Sequence, residues 1–190
     1  MSKANKSNKA IKYRLYPNDE QKVMFAKTFG CCRFVYNQLL ALQKQRYKDG
    51  ESHLSKLKSN EFATRTLKKD YDFLKEIDKF AVSNAVFHLA DAYDRFFKKQ
   101  NHFPKFKSKR KSKKSYTTNF TNNNILIGKN VIKLPKVGMV KAVIHKLPKD
   151  DWKLKSVTVS QDSVGNYFAS VLFEYEQEDI PSVSKSSTNA

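Results

Sequence analysis

The stretch "KAIKYRLYP", residues 9–17, decides the fold. Ile11, Tyr13 and Leu15 alternate with Lys12, Arg14 and Tyr16, which is the period-two pattern of a half-buried strand. Pro17 ends it, because proline cannot donate to a ladder. The next residues open a helix instead of a second strand. In "NDEQ" (18–21), Asn18 is a good N-cap, Gln21 completes a capping box, and two acids fall in the first turn. Phe25, Phe29, Cys32, Val35 or Tyr36, Leu39 and Leu42 then recur every three or four residues. That spacing predicts one long amphipathic helix, or two joined at Gly30, ending near Lys48. A second helix is expected over 58–75, with Phe62, Leu67 and Leu74 buried. A third is expected over 78–99, with Val82, Leu89 and Phe96 on its apolar face.

A lone strand cannot satisfy its own edges, so 9–17 must join strands later in the chain. Those strands come after Pro104: "SYTTNF", "NILIG", "NVIKLP", "KVGMVKAVIH", "LKSVTVSQ" and "YFASVLFEYE", separated by Asn, Gly and Pro turns. The last two predict a hairpin through "DSVGN". The expected fold class is α+β: a small β-barrel with a helical bundle inserted after its first strand. Residues 1–8 read as a frayed polar start, and "QEDIPSVSKSSTNA" (177–190) reads as a polar linker.

Composition narrows the function. The chain has 190 residues, 39% of them hydrophobic and 13% aromatic, enough for a real core. Its formal net charge is +19. Self-repulsion of that size points to a polyanionic partner, DNA or RNA before an anionic membrane. No apolar run approaches a membrane span, and the start lacks the apolar core of a signal peptide. Cys31 and Cys32 are the only cysteines, which fits a reducing cytoplasm, and the four histidines lack ligand spacing.

The charge concentrates. From Lys98 to Lys114, nine of seventeen residues are Lys or Arg and none is acidic. Such a strip reads either as a solvated linker or as a row of phosphate contacts. Phe103, Phe106, Tyr116 and Phe120 bracket it, and it joins two folded elements, which favours phosphate contacts. Lys105, Lys107, Lys109, Arg110, Lys111, Lys113 and Lys114 are the candidates. Lys12, Arg14 and Tyr16 on the first strand, and Arg33 with Tyr36 and Asn37 on the first helix, extend the surface toward RNA. The third helix carries Lys79, Ser83, Asn84 and His88 along one polar edge, and residue types of this kind read base edges. Thr117, Thr118 and Asn119 could place hydroxyls and an amide beside them, although "SYTTNFTNNN" (115–124) also reads as an Asn-rich turn.

Three stretches resemble one family. The run "IKYRLYPNDEQKVMFAKTFGCCRFVYN" (11–37) is similar to the amino-terminal part of TnpB, the transposon-associated RNA-guided nucleases. "AYDRFFKKQNHFPKFKSKRK" (92–111) resembles that family's helix end followed by Phe-Pro-x-Phe-Lys. "IKLPKVGMVKAVIHKLP" (132–148) looks like its Leu-Pro-Lys-x-Gly strand pair. The resemblance implies a wedge domain, an oligonucleotide-binding-type barrel, from 9–17 and 104–176. It implies a helical recognition domain at 18–103, with 177–190 leading toward a RuvC-like nuclease domain beyond Ala190. The implied partners are guide RNA and double-stranded DNA beside the target, and no membrane. The implied setting is a prokaryotic cytoplasm, on the nucleoid when bound. The family's nuclease domain uses magnesium and zinc; no cofactor, metal ligand or catalytic residue is expected in this chain.

The residues themselves point the same way. Two-metal cleavage needs convergent carboxylates, whereas Asp70, Asp72, Glu76, Asp78, Asp91 and Asp94 fall at surface-like spacing. Cys31 and Cys32 lie on an apolar helix face and read as packing. Two further readings stay open: an RNA-independent helix-turn-helix DNA-binding repressor, and a truncated part of an active nuclease.

Overall fold

In the computed structural model, which describes residues 6–176, the opening strand is the centre of the sheet. β1 (Lys6–Tyr16) pairs antiparallel with the last strand from Lys6 opposite Glu176 to Leu15 opposite Tyr167. Its other edge pairs with a middle strand from Arg14 opposite Val143 to Tyr16 opposite Lys141. Both edges are thus satisfied, as the isolation of 9–17 required. The strand starts at Lys6: Lys6, Ser7 and Asn8 are paired residues, not part of a frayed start, because the last strand is long enough to meet them. Residues 1–5 and the expected linker at 177–190 lie outside the described residues.

The later strands are β2 (Lys114–Asn119), β3 (Leu126–Ile127), β4 (Val131–Leu134), β5 (Gly138–Val143), β6 (Lys153–Gln161) and β7 (Tyr167–Glu176). Their order is β2-β6-β7-β1-β5-β4-β3, antiparallel at every pairing. The ladder is open. β2 and β3 stand at its two ends, where the sequence pattern suggested a barrel. The reason is local: β3 is two residues long, and the Asn-rich turn before it leads the chain away from β2. In that turn Asn122 and Asn123 take left-handed φ values of 46° and 55°, a conformation asparagine adopts readily. The β6–β7 hairpin turns through Asp162, whose carboxylate accepts the Val164 and Asn166 amides, and through Gly165 at φ 94°.

Between β1 and β2 run the helices. α1 (Asp19–Lys48) is one continuous 30-residue helix, capped as expected by Asn18 and Gln21. It passes through Gly30 unbroken, because Phe29, Cys31, Cys32 and Val35 bury the surrounding turns. The second helical segment is irregular. α2 (Lys56–Glu61) runs into a π-helical stretch (Phe62–Leu67), then α3 (Lys68–Asp70) and a 3₁₀ turn (Asp72–Lys75). α4 (Lys79–Phe97) comes next, with Val82, Ala85, Val86, Leu89 and Tyr93 buried.

Helices and sheet share one continuous core. Phe25 on α1 stacks on Tyr167 of β7 with ring centres 5.4 Å apart, and Phe29 lies 5.9 Å from Tyr116 of β2. Aromatic pairs at such spacing add roughly 0.5–1.5 kcal/mol beyond their burial. A second joint is polar. Asp78 caps α4 through the Ala81 amide, and the same carboxylate oxygen accepts the Thr118 hydroxyl at 2.6 Å.

Candidate nucleic-acid interface

The basic strip is held against α1. Asn37 grips the backbone of Lys107 in both directions: its amide donates to the Lys107 carbonyl at 2.9 Å, and its oxygen accepts the Lys107 N–H at 2.8 Å. These groups are 70 residues apart in sequence. Phe103 packs edge-on against Tyr93 and Phe96 of α4, and Pro104 is buried. Phe106 lies beneath the Lys44 ammonium, 4.7 Å from its ring centre. The Phe-Pro-x-Phe-Lys stretch is therefore a docking segment, received by Tyr36, Asn37 and Lys44 of α1 and by Tyr93 and Phe96 of α4.

Lys107 is spent on this docking. Its Nζ lies 4.1 Å over the Tyr36 ring, a cation–π contact. Burial lowers its pKa from the usual lysine value, with the Cys32 thiol opposing the shift. Its neighbours differ. Ser108 to Ser112 close a tight turn: the Ser108 N–H donates to the Ser112 hydroxyl, the Lys111 N–H donates to the Ser108 hydroxyl (both 2.9 Å), and the Ser112 N–H reaches the Ser108 carbonyl. That turn leaves Lys109, Arg110, Lys111, Lys113 and Lys114 exposed. Arg33 joins Lys109, Lys113 and Lys114 around one small cleft between α1 and the turn. Lys105 is exposed on the docked side.

Of the expected base readers, Asn84, Thr117 and Asn119 meet at the seam between α4 and β2. Asn84 donates from one nitrogen to the Thr117 carbonyl at 2.9 Å and to the Asn119 side-chain oxygen at 3.2 Å. Thr117 shares a 2.8 Å hydroxyl–hydroxyl bond with Thr158 of β6. Thr118 is a correction: it is fully buried and donates to Asp78, so it cannot meet a base. Period-two alternation puts it on the inward face with Tyr116. Asp78, read from sequence as a surface acid, is its buried partner; the signal available was its position three residues before Ala81, that of an N-cap. Lys79 and His88 are exposed on α4, and Ser83 is half-buried. Loss of solvation around its ring, reinforced by Lys107, holds the His88 imidazole below its ordinary pKa.

Lys12 and Arg14 lie on the outward face of β1. Both stand over Phe168 of β7, at 4.2 and 5.0 Å, and Arg14 also hydrogen-bonds Asn166. Phe168 was not singled out by its sequence, and only its register opposite Arg14 reveals it. Tyr13 is core, its hydroxyl donating to the Lys146 carbonyl at 2.6 Å.

Nothing in the geometry gives the cysteines chemistry. Both are buried; burial pushes Cys31 up to about 11 and Cys32 up to about 12, so neither supplies a thiolate at neutral pH. Among the described residues no three of His, Cys, Asp or Glu gather to hold a metal, and no helix is long and apolar enough to cross a membrane. Asp91 pairs with Lys56 at 3.2 Å.

Residues 5–52 match a family model described as a helix-turn-helix domain, HTH_OrfB_IS605. The chain is 31% identical over 168 residues to a Streptomyces pristinaespiralis protein named as an RNA-guided DNA endonuclease, covering 87% of this chain and 41% of that one. It is 30% identical over 174 residues to InsQ of Escherichia coli K12, which carries the same name, covering 88% and 40%. It is 32% identical over 111 residues to virulence protein VsdF of Salmonella dublin, covering 53% of this chain and 93% of that one. The chain thus spans about two fifths of the length of the first two relatives. Within the stretch matched as helix-turn-helix, the described residues form one strand and the whole of one unbroken helix.

Proposed function

We infer from one premise, that the chain belongs to the TnpB-like family as an amino-terminal region of it, that it is a nucleic-acid-binding lobe gripping guide RNA and the DNA duplex beside the target. The observation that carries this reading is the clasped strip. A solvated linker would have no reason to be pinned to α1 by Asn37 while its next residues fold into a turn that shows cations outward. Ordering that segment costs entropy and crowds like charges, a cost offset when phosphates lie against it. In this reading the strands form the wedge and 18–103 the recognition part. Lys109, Arg110, Lys111, Lys113, Lys114 and Arg33 hold backbone, with Lys12 and Arg14 on a second face. Lys79, Ser83, His88 and Asn119 face the duplex motif, and Asn84 positions the seam they stand on. Sequence discrimination is left mainly to base pairing.

In this reading the chain binds nucleic acid, and cleavage, which needs convergent carboxylates, is not assigned to it. A helix-turn-helix repressor fits less well, because α1 offers no turn at Gly30 about which a second helix could be set. The test is to purify the chain from its host, sequence the RNA that comes with it, and measure duplex binding before and after removing that RNA. Enrichment of one structured RNA that strengthens duplex binding supports the reading. Equal duplex binding without RNA, or Mg²⁺-dependent nicking abolished by one Asp or Glu substitution, overturns it.

A further inference from the structure

A groove of about 560 Å³ lies between the end of α1 and the end of α4. Its walls are rings: Tyr47, His53, Tyr93, Phe96, Phe97 and Phe103. Tyr93 is buried and forms the floor, with Phe97 stacked on it at 6.1 Å and His53 set edge-on at 4.5 Å. The outer rings are open. Tyr47 is 84% exposed and Phe97 63%. Neither exposure helps folding, and open apolar surface of this kind marks a binding site.

The charge around the groove selects the occupant. Lys44 and Lys48 line it. The single acid in its lining, Glu51, is tied to Arg46 in an ion pair. Lys44 Nζ lies 5.5 Å from Phe103 and 4.7 Å from Phe106, so the groove continues into the docked half of the basic strip. Flat aromatic walls beside cations suit a base with its phosphate, whereas an apolar peptide would gain nothing from the lysines. We propose that this groove takes one unstacked nucleobase of a single strand, between Tyr47 and Phe97, with Lys44 and Lys48 on the flanking phosphates. The inference rests on the nucleic-acid reading above, and adds to it a single-strand site separate from the turn at 108–112.

The test uses end-labelled single-stranded heptanucleotides, one ribo and one deoxy, followed by fluorescence anisotropy over a salt series, with melting temperature as the folding control. Tyr47→Ala and Phe97→Ala should each weaken binding by about 5- to 150-fold, the range of one lost stacking contact, without changing the salt slope. Phe97→Tyr should bind as the parent does. Phe97→Leu, apolar but not flat, should behave as Phe97→Ala. A 4-thiouridine in the ribo strand should crosslink to Tyr47 or Phe97. Binding of the ribo strand alone assigns the site to RNA; binding of both assigns it to single strands generally. If Phe97→Leu binds as tightly as the parent, the groove is apolar support and the proposal falls. If Phe97→Ala and Tyr47→Ala bind normally while K109A/R110A/K111A does not, the proposal falls and the nucleic-acid reading stands. If the parent binds neither oligonucleotide nor any duplex at low salt, both fall.

Discussion

Two halves of one basic strip behave as opposites. From Phe103 to Lys107 lysines alternate with Phe and Pro; the rings dock, Pro104 is buried, and Lys107 lies along Tyr36 with its backbone in the grip of Asn37. From Ser108 to Lys114 serines take the place of the rings; they bond each other's backbone and leave the cations in solvent. Both halves are rich in lysine, so charge alone does not set the role. The surroundings do: Tyr36 and the Asn37 clasp pack Lys107 while Lys105, on the other side of Phe106, stays exposed, and the serine turn displays the cations around it.

That contrast can be broken by experiment, beginning with the largest effect. Replacing Lys109, Arg110 and Lys111 with Ala should cut affinity for structured RNA and duplex DNA by on the order of a hundredfold or more near 0.1 M salt, and should lower the salt slope by up to about 3 units. Thermal stability should stay as in the parent. Equal binding across the salt series would show that the serine half is not a display at all.

Asn37→Ala should act on the other half. It strips a part-buried backbone N–H and carbonyl of their partners, costing about 1–3 kcal/mol in urea unfolding. It should also speed hydrogen exchange at the Lys107 amide while leaving the salt slope nearly intact. A variant with parental stability would mean the clasp does not hold the strip.

Ser112→Ala removes the acceptor for the Ser108 N–H. An exposed bond of this kind is worth about 0.5–1.5 kcal/mol at most, and the expected result is a small loss of affinity with unchanged melting. A melting loss larger than that of Asn37→Ala would reverse the comparison.

The smallest effect sharpens it further. Burial lowers the Lys107 pKa, so the unfolded chain holds that proton more tightly than the folded one. Stability from this site therefore rises as pH climbs from the lowered value toward the ordinary lysine value of 10.5, and is least below both. Lys107→Met should remove that alkaline rise and leave the phosphate-dependent slope unchanged. A slope lowered by a full unit would place Lys107 among the displayed cations.

How much of the molecule was readable from the letters depends on how far apart the partners lie. The helix and strand periods were legible because they are local: Asn18 with Gln21, the alternation at Ile11, Tyr13 and Leu15, and the turn at Asp162–Gly165 all act within a few residues. The isolation of β1 was enough to require a sheet with helices inserted in it. The clasp was not legible, since Asn37 and Lys107 are 70 residues apart and neither carries a local sign of the other. Thr118 is an intermediate case. Its place on the inward face follows from Tyr116 two residues before it, but its partner Asp78 sits 40 residues away. The open ladder depended on β3 being only two residues long, which "NILIG" does not announce.

The joint between Asp78 and Thr118 has a mechanical consequence. It ties the first turn of α4 to β2, while the strip leaves the last turn of α4 and returns to the start of β2. The strip is therefore strung like a cord from the far end of that rod to the strand that meets its near end, with the Asn37 clasp between. At ~1.5 Å per residue, nineteen residues make that rod roughly 28 Å long, about eight steps of a duplex at ~3.4 Å per base pair. Helix length then sets the span that the strip has to cover between α4 and β2. A chain with one more turn in α4 would carry the same cord on a longer ruler.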